Sequence, residues 1–151
     1  MRVFESLAEL AACVGEEIAV SDWVEITQQR IDAFADATGD HQWIHVDPKR
    51  AAQGPFGTTI AHGYLTLSLL PLLMESAIEL RGVRMSVNYG LNRVRFPAPV
   101  PVGSRLRARF RIVSVEDIGS GGLQIVTEAT VEREGGDKPV CIAQTVARRY
   151  A

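Results

Sequence analysis

An α+β fold, a curved antiparallel sheet wrapped around one long central helix, is predicted by three features of this 151-residue sequence. The stretch TTIAHGYLTLSLLPLLMESAIELRG is apolar on nearly every side, the mark of a helix enclosed by other structure. From Val83 onward the apolar period changes from helical to two and stays there. Helices come first and strands last, so the strands must form a sheet that packs on the helix.

Each element follows from local signals. Ile31, Phe34, Ala35 and Thr38 repeat at i, i+3, i+4 and i+7, which predicts a helix over 27–38 with one buried face. Thr27 suits its N-cap, and Gly39 stands where a left-handed residue should stop it. A short second helix is expected in HVDPKRAAQ, with Asp47 as cap and Pro48 at the first helical position. The long helix should run from about Ile60 to Arg81, roughly 33 Å at 1.5 Å per residue, with Pro71 kinking it near Leu67 and Gly82 ending it.

Val83, Met85, Val87, Tyr89 and Leu91 then alternate, and the phase slips to Val94 and Phe96, which predicts a bulge around Asn92. FPAPVPVG is a connection or strand edge. Leu106, Ala108, Phe110 and Ile112 form the next run, and the turn DIGSGG leads into Leu123, Ile125, Thr127, Ala129 and Val131, a hairpin. A last strand is expected from about Val140 to Arg149.

The totals narrow the function. At 46% hydrophobic the chain can bury roughly 70% of its unfolded surface, so residues 1–151 are read as one domain. A formal charge of −2 provides no broad basic field, which speaks against nucleic acid and anionic membranes and in favour of a small ligand. The N-terminal stretch carries Glu5 and Glu9 and no continuous apolar run, so neither a secretion signal nor a membrane span is expected, and the predicted location is cytoplasmic. Cys13 and Cys141 belong to no metal-ligand spacing and are read as reduced, semi-buried thiols.

Several motifs have plain structural explanations. Arg105, Arg107, Arg109 and Arg111 share one face of a strand, and Glu128 and Glu132 share a face of its partner. Cross-strand ion pairs on a solvated face account for both sets better than a polyanionic ligand does. GSGG joins two strands and leads into no helix, so it is a turn and not a phosphate loop. Asp47 is explained by capping.

The segment DATGDHQWIH at 36–45 resists such explanations. Gly39 has already ended a helix, so Asp40 begins a loop, where scaffold-held catalytic groups tend to sit. His45 lies five positions on, a span of up to about 17 Å if extended, so the pair meets only if HQWI folds back. Gly63 in IAHGYL opens the long helix, where free N–H groups suit an oxygen gathering negative charge; close helix-to-sheet packing explains that glycine equally well. His41 and His62 have no evident partners and are placed as supporting groups at most.

Taken together, Gly39-Asp40, His45-Val46-Asp47-Pro48, FGTTIAHG at 56–63 and NYGLNRVRFPAPVPVGSRLRA resemble the MaoC-like (R)-specific enoyl-CoA hydratases, which have the hot-dog fold. The resemblance implies reversible addition of water to a trans-2-enoyl-CoA, with 3-hydroxyacyl-carrier-protein dehydration and non-catalytic acyl-CoA binding as the rival readings. Carried over by position, Asp40 and His45 are the catalytic pair and Gly63 N–H is the oxyanion donor. Pro71 and Met74 border the acyl pocket, Trp43 walls the loop, and Arg93 and Arg95 meet the coenzyme A phosphates. Relatives carry Asn-Pro where this chain has Gln42 and Trp43, which bears on the path of the loop and on acyl preference. No metal or separate cofactor is expected, coenzyme A entering as part of the substrate, and a homodimer is expected to cover the sheet edge.

Overall fold

Alternate burial is clearest on the strand Arg105–Gly119, where Leu106, Ala108, Phe110 and Ile112 are inside and the intervening arginines are partly or fully exposed. The computed structural model describes residues 1–151. In chain order its elements are β1 (Arg2–Phe4), α1 (Leu7–Ala11), β2 (Glu17–Val20), β3 (Val24–Glu25), α2 (Gln28–Thr38), α3 (Trp43–Val46) and α4 (Pro48–Ala52). They are followed by α5 (Gly63–Ser68), α6 (Leu70–Ala77), β4 (Ile78–Leu80), β5 (Met85–Arg95), β6 (Arg105–Gly119), β7 (Gly122–Arg133) and β8 (Cys141–Tyr150).

The main sheet is antiparallel in the order β2-β6-β7-β8-β5, with β3 also on β6. β6 and β7 form the expected hairpin, its turn carrying left-handed Gly119, Ser120 and Gly121. Register shifts at Asn88/Gly90 and Leu91/Arg93 place two irregularities in β5, the second where the apolar phase slips. A single cluster of 25 buried residues joins Leu65, Leu69, Leu70, Leu73 and Ala77 of the helical segment to Phe110, Ile112, Ala129 and Ala143 of the strands, so helix and sheet share one core.

Three of the four stripe arginines form ion pairs, while Arg111 donates to Gly15 O and Glu128 accepts from Gln144 instead of pairing. Arg105 pairs with Glu134, Arg107 with Glu132, and Arg109 with Glu17 and Glu132. These groups are half-exposed, so each pair contributes at most a few tenths of a kcal/mol. Cys13 and Cys141 are free and fully buried, deeper than expected, and burial alone pushes the Cys141 thiol up to about 11.

The long helix is where the expectation fails. Residues 60–81 form α5, a break at Leu69, α6 and then a strand, not one continuous helix. At the front, Thr59–Ala61 is held extended: Ala61 N–H donates to Val100 O, Val102 N–H donates to Thr59 O, and Ile60 bridges Pro101. In the middle, Pro71 has no N–H to continue the ladder and sits in the first turn of α6, where none is needed. At the back, Ile78–Leu80 pairs in parallel with Arg2–Phe4, an edge that no local periodicity signals. No helix of the chain is long and apolar enough to cross a membrane.

Candidate active site

The first site-forming signal is the end of α2. Thr27 accepts from Arg30 N–H at its start, and Gly39 at φ 81° closes it with a bond to Ala35 O, in the left-handed region that glycine enters without a Cβ clash. Asp40 is the first residue past that stop, its side chain half-exposed. HQWI does fold back: residues 43–46 form α3, and Asp47 then caps α4 through Arg50 N–H. Asp40 Oδ1 accepts a long 3.4 Å bond from Gln42 N–H at the start of this reversal, so the carboxylate has a small local role as well.

His45 is buried and doubly anchored. Its Nδ1 lies 2.6 Å from Ile60 O, while Ile60 N–H donates to Ile44 O. A carbonyl oxygen can only accept, so Nδ1 carries the proton and Nε2 keeps its lone pair. Gln28, the first residue of α2, secures the main chain from the other side, donating to His45 O at 2.7 Å and accepting from the buried Thr59 hydroxyl. Burial holds the His45 pKa below its ordinary value; the Ile60 bond opposes this, and the neighbouring His62 adds to the lowering.

His62, expected as a supporting group at most, does support the pair, with partners that the sequence does not show. It is 3% exposed, its ring stacks on His45 at 3.8 Å between centroids, and its other side meets Phe34 at 4.9 Å. Its Nε2–H donates to Asp40 O at 3.0 Å, with Asp40 Oδ2 at 4.0 Å. Asp40, His45 and His62 thus present polar atoms within 4.8 Å of one another. By contrast, the exposed His41 pairs with Asp36 at 2.9 Å, and that bond raises its pKa.

Gly63 is the first residue of α5, where a backbone N–H lacks an intrahelical partner. A Cβ there would stand 3.1 Å from the Phe96 ring, so close packing accounts for this glycine. Trp43 is half-buried beneath Arg50, with its ring against Gly54, and does not line the cavity.

Pro71 and Met74 do meet on one wall, lining a cavity of about 490 Å³ between the helical segment and β5, β6, β7 and β8. Leu67 and Ser68 of α5 bring its edge to within about four residues of Gly63. Arg93 and Arg95 do not join this group; both are exposed on β5, Arg95 folding onto Val94 O. Arg149 does join it, a residue that the period-two run of the last strand had given no reason to single out.

Comparison with known proteins places this arrangement in a family. A family model for the MaoC like domain matches residues 9–135. The 3-hydroxyacyl-thioester dehydratase Z of Mycobacterium tuberculosis (strain ATCC 25618 / H37Rv) is 60% identical over 151 residues, covering 100% of both chains. Nodulation protein N of Rhizobium leguminosarum bv. viciae is 47% identical over 143 residues, 93% of this chain and 89% of that one. Among solved structures, the MaoC-like dehydratase from Rhodospirillum rubrum superposes with a TM-score of 0.78 at 21% identity, over 97% of each chain. The chain belongs to the MaoC-like domain family, has its hot-dog fold, and is a hydro-lyase.

Proposed function

We propose that the protein is a dehydratase of (R)-3-hydroxyacyl thioesters, the same step run backwards being hydration of trans-2-enoyl-CoA. The observation that carries this reading is the meeting of Asp40 and His45 beside His62, the N-cap residue of α5, on a chain whose full-length M. tuberculosis relative bears the name of a 3-hydroxyacyl-thioester dehydratase. Dehydration rather than hydration is thereby placed first, reversing the emphasis that the motif resemblance suggested.

The geometry supports a single-base route. With Nδ1–H committed to Ile60 O, His45 Nε2 takes the proton from the α-carbon, and the electron pair moves towards the thioester carbonyl. Gly63 N–H faces the oxygen that gains charge. As the β-carbon–oxygen bond breaks, the same Nε2–H returns the proton to the departing hydroxyl, which leaves as water hydrogen-bonded to Asp40. Base and carboxylate end the cycle as they began it. The lowered His45 pKa favours the neutral ring that this route needs at pH 7.

Coenzyme A is the expected carrier, with Arg93 and Arg95 offered to its phosphates from the rim. A homodimer is expected, since β5 is an edge strand exposed along nearly its whole length, with Met85, Val87, Tyr89 and Leu91 outermost. The two buried free thiols fit a reducing cytoplasm.

The test is loss of the conjugated thioester's ultraviolet band when trans-2-enoyl-CoA of several chain lengths is added, with chiral analysis of the product. Equal assays on enoyl groups loaded on carrier protein separate the two carriers. Binding without turnover of either would convert the reading to an acyl-thioester-binding module.

A further inference from the structure

Arg149 is a half-buried cation without an acid. Its Nε is shut off from solvent and bonds to nothing, and Nη2 touches only the Met74 thioether at 3.2 Å, a weak acceptor. Burial lowers its pKa, and no carboxylate lies within ion-pair distance. The outer face of the same guanidinium borders a shallow groove that also holds Glu75, an exposed residue that does not pair with it. A guanidinium left with unmet donors in a low-dielectric wall is costly, and the shape that satisfies it is a planar oxyanion.

The surroundings narrow the class of that anion. The cavity into which Arg149 faces is walled by Leu67, Leu70, Pro71, Met74, Phe110 and Val146, so most of what it holds must be hydrocarbon. A pyrophosphate or ribose phosphate suits such walls poorly. A carboxylate at the end of a methylene chain suits them well, its carbons against the apolar wall and its charge on the arginine. The cavity begins at Leu67, four residues or about 6 Å along α5 from Gly63, so a chain held by its thioester at Gly63 would enter here tail first.

We propose that Arg149 selects acyl groups whose far end carries a carboxylate, making ω-carboxyacyl thioesters the preferred substrate class. This rests on the reading of the Asp40–His45 site as an acyl-thioester site. Met74 and Pro71 set the depth of the cavity, and Arg149 sets the polarity of its end.

Calorimetric titration of the whole protein with two saturated esters, suberyl-CoA and octanoyl-CoA, tests the proposal without relying on turnover. Suberyl-CoA should bind at least tenfold tighter than octanoyl-CoA. Arg149→Met should abolish or invert that ratio, and Arg149→Lys should retain part of it, with circular dichroism checking that both variants fold. Equal or weaker binding of suberyl-CoA by the unaltered protein, or a ratio unchanged in a folded Arg149→Met, would overturn the role of Arg149 while leaving the thioester site standing. Failure to bind either ester would overturn the thioester reading and the tail selection with it.

Discussion

The imidazoles of His45 and His62 lie stacked, 3.8 Å apart and 23° from parallel, and the second ring also holds the main-chain carbonyl of Asp40. One buried side chain therefore touches both members of the proposed catalytic pair. His62→Asn should lower kcat roughly tenfold, about 1.4 kcal/mol in the barrier. The pH profile distinguishes positioning from simple destabilisation. His62 and burial both depress the His45 pKa, so removing the ring should raise it. Catalysis needs the neutral base and fails as the ring protonates, so the acid limb of kcat/KM should move to higher pH. A uniform loss at all pH values would contradict this.

Asp40→Asn is the cleanest test of the carboxylate, because the amide oxygen can still accept from Gln42 N–H and the loop should keep its path. His45→Gln is more disruptive, since it removes a buried ring bonded to Ile60 O. Each should reduce turnover by roughly 100-fold or more. Near-normal turnover in folded Asp40→Asn would remove that residue from the mechanism.

Gly63→Ala places a methyl group 3.1 Å from the Phe96 ring at the first residue of α5. Both thermal stability and kcat/KM should fall. Adding Phe96→Leu should recover most of the stability by giving the methyl room, but not the activity, if that helix end receives the substrate. Thermal melts and steady-state kinetics on the single and double variants separate the two losses.

An unpaired edge strand invites a partner of its own kind. Light scattering should give twice the 16.5 kDa chain mass for the unaltered protein, and Val87→Glu should shift it towards one. A monomer at micromolar concentration would exclude the proposed assembly.

Much of this architecture was legible because it rests on local chemistry. Thr27, Gly39, Asp47 and Pro48 mark helix ends by capping and backbone geometry, and each lies where those signals place it. Leu106 to Ile112 and Thr127 to Val131 alternate because one face of their strands is buried. Features set by distant chain were hidden. The extended Thr59–Ala61 run depends on Val100 and Val102, and Ile78–Leu80 becomes a strand only because Arg2–Phe4 lies beside it. The same limit governed the site. Asp40 stood out because Gly39 had ended a helix and His45 followed closely. His62 shows its partners only once α3 has folded back, and Arg149 looks like an ordinary strand arginine until Met74 and the cavity are seen beside it.

The break at Leu69 divides the helical segment into two short rods, and this has a bearing on how such a protein can change over time. The forward rod begins at Gly63 and is tied through His62 to Asp40 and His45; the rear rod carries Pro71 and Met74 and faces the cavity. A rigid continuous helix would transmit every change of bulk at the rear to the front. Because Pro71 cannot donate, the two rods are bound by one helical bond fewer, so the residues lining the cavity can be recut with less strain passed to the front.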